Sequence, residues 1–250
     1  MYETESGMPS KKNKIYKSLP LIYNHVMKGV NYQAWAKYIY LISKTFIKKE
    51  PKILELAGGN LNLANILSFY YPHILVTDAS FEMLSADPRK DLAKVACNMT
   101  MLPFKNKFDI IYCTFDGINY LTSRSQLLKL FKEVKILLDS KGIFTFDASL
   151  ENNSLKHSRD TVRKGAVDGI YFIHKSEYNR VSRIHKNIFT IKINEKTITE
   201  VHKQKIYPFE LYFEILEKAG LYVIDCLDAF SFKKGNAKSE RVQFITKKAE

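Results

Sequence analysis

The sequence predicts an α/β protein built on a mostly parallel sheet with helices on both faces. Short runs that are apolar on both faces, such as "KILEL" at 52–56 and "FDIIYCTF" at 108–115, alternate with helical segments up to about residue 150. Fully apolar strands that alternate with helices are typical of a covered parallel sheet. After Asp147 the pattern changes: apolar and polar residues alternate over 168–207, which predicts an antiparallel insertion.

Two helices are predicted before the first strand, within residues 19–48. Glycine at position 29 separates them, and Asn31 is a suitable N-cap for the second helix. That second helix carries apolar residues at helical spacing, and Pro51 ends the segment. These apolar residues are Trp35, Tyr38, Ile39, Ile42 and Phe46.

The remaining elements follow from the same patterns. Strands are predicted at 52–56, 73–78, 93–97, 108–115 and 142–148, with helices near 62–70, in "SFEML" and in "SRSQLLKLFKEVKILLD". Beyond the insertion, Pro208 begins a helix that Gly220 ends, and "YVIDCLDAF" and "ERVQFITKK" form two closing strands. The chain is therefore expected to be one domain: a helical lid (15–50), a core (51–149 and 208–248) and the insertion (150–207).

Composition limits the classes of function. The net charge of +13 raises the question of nucleic acid, but only 7 of the 39 basic residues are Arg, and they are scattered. Arginine is the residue that suits phosphate and base recognition, so a solvated lysine-rich surface is the favoured explanation and nucleic acid is disfavoured. The three cysteines are widely spaced and predict neither a disulfide framework nor a metal site.

No apolar run is long enough to span a membrane, and the N-terminal "MYETESGMPSKKNK" lacks the apolar centre of a secretory signal. We expect a loose N-terminal tail on a cytoplasmic protein.

The turn after the first strand predicts a ligand site. Glu55 ends this strand, "AGG" follows, and Asp78 ends the second strand. An acid at this distance from the turn suits a ribose diol, whereas the loop fits neither GxGxxG nor the phosphate-binding P-loop pattern. A ligand with a ribose and no phosphate, such as S-adenosylmethionine (SAM), meets these conditions. The alternative is that the two glycines only form a turn.

The motifs taken together resemble those of class I SAM-dependent methyltransferases. "ILELAGGNLNLA", "VTDASFEML", "NMTMLPF", "FDIIYCTFDGINYL" and "GIFTFDA" occur in the order of that family, and the similarity covers roughly residues 15–150. The leading "LPLIYNHVMKGVNYQAWAKYI" is similar to the group that contains glycine and aminosugar N-methyltransferases. The resemblance implies a Rossmann-like, mostly parallel seven-stranded sheet and a β insertion, after the fifth strand, that covers the acceptor.

The resemblance also implies the cofactor residues. Glu55, Ala57, Gly58 and Gly59 match the SAM loop, Asp78 matches the ribose acid, and Ala79 and Met83 would flank the adenine. Asn98 and Met99 match the adenine edge, while Thr114, Phe115 and Asp116 lie beside the reacting methyl group.

Two positions depart from the family pattern. Asn98 replaces an aspartate, and we expect its carbonyl to accept from the adenine amine. Leu61 stands where a glycine is usual. We expect it to begin the helix with ordinary backbone angles and to point inward.

Tyr23 and His174 are the candidate catalytic residues. Tyr23 matches a tyrosine that faces the methyl group in the resembled group, although a core aromatic explains it equally well. His174 lies in the insertion, where a solvated histidine is the usual alternative to a base. The insertion is also net basic, which favours an anionic acceptor such as a carboxylate or a phosphorylated sugar.

The sequence thus predicts a SAM-dependent methyltransferase that acts on a small molecule, at nitrogen. Two alternatives remain: an RNA methyltransferase, and a non-catalytic protein that keeps the fold for binding. The oligomeric state is open, with a homodimer as one candidate.

Overall fold

The computed structural model describes residues 15–47, 50–87, 92–159 and 162–249. The predicted N-terminal tail lies outside these residues. Among them, no helix combines the length and apolarity needed to cross a membrane. The helices are α1 (Pro20–Val26), α2 (Tyr32–Phe46), α3 (Asn62–Leu67), α4 (Phe81–Ser85), α5 (Arg124–Leu137), α6 (Glu151–His157) and α7 (Phe209–Lys218), with a 3₁₀ turn at Gly117–Tyr120. The strands are β1 (Ile53–Leu56), β2 (Ile74–Asp78), β3 (Ala93–Ala96), β4 (Phe108–Cys113), β5 (Leu138–Ser149), β6 (Val162–Val167), β7 (Ile170–Asn179), β8 (Ile184–Ile193), β9 (Lys196–Lys205), β10 (Leu221–Asp228) and β11 (Arg241–Lys248).

A seven-stranded sheet forms the centre of the fold, in the order β10-β11-β5-β4-β1-β2-β3. The pairs among β3, β2, β1, β4 and β5 are parallel, and β11 is antiparallel to both of its neighbours. The strand order reverses between β1 and β4, which places a crevice at the carboxyl ends of these two strands. The fold class predicted from the sequence is therefore confirmed.

Helices cover both faces of this sheet, as the continuous apolar strands require. Every residue of β1 and of β4 is buried. Helices α5 and α7 pack against one face around Phe131 and Tyr212, and α2 and α3 pack against the other around Ile39 and Leu67. The Asn31 side chain caps α2 as predicted, accepting from the Ala34 N–H at 2.9 Å.

The insertion forms a separate four-stranded antiparallel sheet in the order β6-β7-β8-β9. Helix α1 packs on it through Leu19 and Ile22, which contact an apolar cluster around Phe172 and Phe189. The N-terminal segment and the insertion thus meet over the carboxyl ends of the central strands.

Two elements of the insertion were not predicted from the sequence. Helix α6 buries one residue, Ser154, and has no side-chain N-cap, so it lacks an apolar periodicity. Strand β6 lies at a sheet edge and is largely exposed, so it lacks the alternation of its neighbours. The helix expected near 62–70 ends at Leu67, where a turn takes over.

Candidate cofactor and acceptor site

A cavity of about 660 Å³ opens at the carboxyl ends of β1, β2 and β4. Most of the residues predicted for the cofactor lie along it, and so does the catalytic candidate Tyr23. These lining residues are Glu55, Ala57, Gly58, Gly59, Asp78, Ala79, Met83, Asn98, Met99, Thr114 and Phe115. Two predicted site residues, Asp116 and His174, line a different cavity, described below.

The glycine turn leaves no room for side chains at its centre. A Cβ atom on Gly58 would lie 2.9 Å from Cδ of Glu55 and would also clash with Val76. Gly59 has φ +57°, in the left-handed region that glycine adopts without strain. The turn is therefore compact, and its backbone borders the cavity.

The expectation for Leu61 was half wrong. Its backbone is left-handed (φ 64°, ψ 10°) rather than helical, which costs a leucine about 1–2 kcal/mol. Its side chain does point inward: it is fully buried in the apolar cluster that also holds Leu63 and Ala64. The cavity stays open because the extra side chain enters the core, where its burial offsets the backbone strain.

Asp78 organises the loop from the end of β2. Its two carboxylate oxygens accept from the backbone N–H of Gly59 at 2.9 Å and of Ser80 at 2.8 Å. Burial raises the pKa of this carboxyl, and these hydrogen bonds oppose the rise. Each oxygen keeps a further lone pair, so the carboxylate can still accept from a ribose hydroxyl.

Glu55 has a buried carboxyl oxygen that faces the cavity without a hydrogen bond from any described residue. Its side chain is buried beside the Tyr112 hydroxyl, but its Oε2 makes no hydrogen bond of good geometry within the described part of the chain. Burial raises its pKa to about 8, and Tyr112 opposes this rise. A buried carboxylate oxygen without a partner is unfavourable until a cationic donor reaches it. The amino group of SAM is such a donor, so this part of the cavity fits the cofactor.

Asn98 is oriented differently from the expectation. Its carbonyl oxygen already accepts from the Thr100 backbone N–H at 2.9 Å and from the Thr100 hydroxyl at 3.0 Å. Both lone pairs are thus used, and the carbonyl is not left for an adenine amine. The amide nitrogen is the group that remains to meet the base, as a donor to a ring nitrogen.

Two tyrosines that sequence reasoning missed complete the wall. Tyr16 and Tyr120 line the cavity, and their hydroxyls are hydrogen-bonded at 2.7 Å. Tyr23 lies beside them, and burial raises the pKa of its phenol. The Tyr23 hydroxyl therefore stays protonated at neutral pH and acts as a neutral hydrogen-bonding group. The signal for Tyr120 was present in "GINYL", directly after the residues predicted to face the methyl group.

A second cavity, of about 670 Å³, lies between the segment after α1, helix α6 and the insertion sheet. It adjoins the first, because neighbouring residues of the chain line different cavities: Phe115 faces the first and Asp116 the second. In the same way, Tyr32 lines the first cavity and Val30 lines the second. A cofactor and an acceptor bound in the two cavities would meet near the end of β4.

Asp116 lies at this junction and is held there by an ion pair with Arg241. Its left-handed backbone (φ 53°) turns its side chain to Arg241, whose guanidinium also contacts Asp147. The Gln204 amide donates to Asp116 at 3.3 Å. Burial raises the pKa of the Asp147 carboxyl well above its usual range, so Asp116 is the carboxylate that pairs with Arg241 beside the second cavity.

His174 lies along the second cavity on β7. Its Nε2 is 2.8 Å from the Asn187 side-chain oxygen, and its ring stacks on Phe189 with centroids 4.4 Å apart. Burial and the nearby Arg163 lower its pKa, so the ring is neutral near pH 7. The structure does not bring His174 and Tyr23 to one cavity.

Comparisons with known proteins agree with this geometry. No protein-family model matches the chain. The chain is 25% identical to a Bacillus subtilis (strain 168) protein named "Putative methyltransferase YqeM", over 94% of this chain and 98% of that protein. A solved S-adenosylmethionine-dependent methyltransferase from Clostridium acetobutylicum ATCC 824 is 24% identical, with a TM-score of 0.78, over 95% of this chain and 100% of that one. The sugar N-methyltransferase KedS8 from Streptoalloteichus sp ATCC 53650 has a TM-score of 0.74 at 16% identity, over 100% of this chain and 99% of that one.

These comparisons confirm the resemblance predicted from the sequence. The fold is that of the class I SAM-dependent methyltransferases, and the expectation of an enzyme that uses SAM agrees with the names of these proteins.

Substitutions at Leu61 separate strain from packing. Leu61→Ala and Leu61→Gly should each destabilise the protein, by about 2–5 kcal/mol, because both empty a core position. Glycine should nevertheless be the more stable of the two by about 1 kcal/mol, since it adopts the left-handed backbone without strain. Chemical denaturation measures both differences, and an alanine variant more stable than the glycine variant would contradict the strain assignment.

We predict that the Glu55 carboxyl releases a proton when the cofactor binds. Below pH 8 this carboxyl is largely protonated in the free protein, and it must ionise to pair with the SAM amino group. Affinity should therefore rise between pH 5.5 and 7, and calorimetry at pH 6.5 in two buffers of different ionisation enthalpy should show a proton released. Glu55→Gln should lose most of that release, and an unchanged value would show that another group supplies the proton.

Proposed function

We propose that this protein is a SAM-dependent methyltransferase that methylates a nitrogen atom of a small-molecule acceptor. The observation that carries the proposal is the pair of adjoining cavities, one lined by the cofactor residues and the other presenting Asp116 at the shared wall. The sugar N-methyltransferase KedS8 shares this fold, which supports a nitrogen target.

The cofactor residues fit SAM in charge and in shape. Glu55 would hold the amino group, the backbone of Gly58 and Gly59 would border the amino-acid end, and Asp78 would accept from the ribose. Met83 and Asn98 would contact the adenine, and Tyr23 would face the sulfonium end beside Thr114. When bound, SAM would supply an electrophilic methyl group, and its sulfur would take the electron pair of the S–C bond as the acceptor nitrogen bonds to that methyl carbon.

The protein's own contribution is alignment and water exclusion. The Asp116 carboxylate, which borders the second cavity, would accept hydrogen bonds from an acceptor that arrives as an ammonium. One proton must leave for the nitrogen lone pair to attack, and the second cavity gives it a path to solvent. The methylated product then keeps one fewer N–H bond than the ammonium that arrived.

Residues that lie apart from this junction also have a place in the proposal. His174 lines the second cavity on β7, opposite Arg163 on β6, so we assign it to the acceptor's far end rather than to proton transfer. The net basic insertion supports an anionic acceptor. We also propose a single domain with a lid at 15–50 and an insertion at 150–207, and a cytoplasmic location.

Cofactor titration tests the central claim. SAM and S-adenosylhomocysteine should bind the wild-type protein at micromolar concentrations in calorimetry, and Asp78→Ala should lose this binding, because Asp78 also holds the loop. Glu195→Gln, in an exposed hairpin turn, is the matched control. An absence of binding to a folded wild type would favour the non-catalytic alternative, and nucleic acid that copurifies and is methylated would favour the RNA alternative.

Asp116 predicts a selective kinetic defect. For an amine acceptor found by screening aminosugars and amino acids, Asp116→Asn should raise KM by roughly 10- to 100-fold, as loss of a charged hydrogen bond of about 1.5–3 kcal/mol requires. The SAM dissociation constant should change by less than KM, because Asp116 does not line the cofactor cavity and acts on its wall only through Arg241 and Asp147. A weaker SAM affinity with an unchanged KM for the acceptor would contradict this assignment and indicate that Asp116 binds the cofactor.

A further inference from the structure

We propose that the open end of the second cavity binds an oxyanion of the acceptor, through Arg163 and the histidines beside it, and takes up protons as it does so. This inference rests on the proposed function only in naming the acceptor as the molecule that carries the oxyanion.

The charges along the second cavity are strongly one-sided. Apart from Arg241, its cationic groups come from two parts of the chain: Lys28 follows α1, and Arg163 and Lys164 lie on β6. All three are exposed, so they surround the open end of the cavity. Asp116 is the one acidic residue along the described lining, and Arg241 already pairs with it.

Four histidines line the same cavity, from α1, α6, β7 and β8: His25, His157, His174 and His185. The acidic groups outside the lining are occupied elsewhere. Glu240, which acts on His157, pairs with Lys156 at 2.8 Å, and Glu200 is hydrogen-bonded to buried His202 at 3.3 Å. The histidines therefore face more cations than anions.

Two buried polar atoms of the lining have no partner among the described residues. His185 is 6% exposed, and its Nε2 is bonded to the Ser176 hydroxyl at 2.8 Å, which leaves Nδ1 unpaired. The Ser154 hydroxyl, 1% exposed, is also unpaired. Leaving such groups unsatisfied is unfavourable, and a ligand with several acceptor oxygens would satisfy them.

Three of these histidines, His157, His174 and His185, have lowered pKa values. Burial lowers the pKa of His174, and Arg163 lowers it further; burial and the neighbouring His157 and His174 lower the pKa of His185 to about 4. The pKa of His157 is lowered by burial and by Arg163. An oxyanion at Arg163 would reverse the electrostatic part of these shifts, so binding should take up protons and strengthen as the pH falls.

The spacing of the two charged ends describes the acceptor. Arg163 lies on β6, and Gln204, which contacts Asp116, lies on β9, at the opposite edge of the sheet. Three strand spacings separate these edges by about 14 Å. An acceptor with its amine at Asp116 and its oxyanion at Arg163 is therefore an extended molecule and not a simple amino acid.

Sulfate is the probe for this subsite, because its charge is constant between pH 5 and 8. The histidine Cε1–H resonances, assigned with single His→Gln variants, should shift saturably with sulfate. The pKa of His174 should rise by at least half a unit, and sulfate affinity should increase several-fold between pH 7.5 and 6. Acetate, tested in the same way, separates the two sources of an oxyanion: weaker binding than sulfate indicates a phosphate-type group, and tighter binding a carboxylate.

Arg163→Gln should weaken sulfate binding at least tenfold. Arg180→Gln, in the exposed turn between β7 and β8, should leave it unchanged. Titration of each variant with S-adenosylhomocysteine reports folding and the cofactor site independently. Two results would overturn the oxyanion subsite and leave the proposed function standing: cofactor binding without saturable sulfate binding, and sulfate binding that Arg163→Gln leaves intact. Sulfate binding without cofactor binding would instead overturn the proposed function.

Discussion

The ion cluster of Arg241 with Asp116 and Asp147 is the contact on which the arrangement of the site depends. It joins β11 and β5 to the residue that follows the turn after β4. The Asp116 backbone N–H also donates to Asp147 at 3.0 Å, and the guanidinium lies 5.8 Å from the ring of Trp35 on α2. Breaking a buried pair leaves a charge without compensation, so these elements are fixed relative to one another. The wall between the two cavities is therefore rigid where methyl transfer would occur.

A second carboxylate, Glu200 on β9, fixes the N-terminal segment over the cofactor cavity. It accepts from the backbone N–H groups of Tyr16 at 2.8 Å, Ser18 at 2.5 Å and Leu19 at 3.2 Å. Tyr16 then reaches Tyr120, beside the cavity. The insertion thus has two roles: its polar inner face lines the second cavity, and its edge strand holds the segment that covers the first.

Patterns that reflect local physics were readable in the sequence. The Asn31 cap, the apolar strands β1 and β4, and the Gly58–Gly59 turn each follow from neighbouring residues. Most of the residues predicted for the cofactor also line the first cavity. The seven-stranded sheet followed from these elements and from the resemblance.

What the sequence did not predict depends on contacts between distant residues. The placement of Asp116 is set by Arg241, which lies 125 residues later in the chain. The orientation of the Asn98 amide is set by its hydrogen bonds with Thr100, which residue types alone do not specify. Helix α6 and strand β6 have too little buried apolar surface to leave a pattern. The second cavity is assembled from eight separate segments of the chain, so no local pattern marks it.

Leu61 has a consequence for how such proteins are recognised. A search pattern that demands glycine at this position treats any larger residue as the loss of a binding loop. Here the left-handed backbone is kept without glycine, and the side chain points away from the ligand space. The constraint that matters at this position is that any side chain must point away from the ligand. A large apolar residue that points into the core meets this constraint as well as glycine does, so a search pattern should accept both.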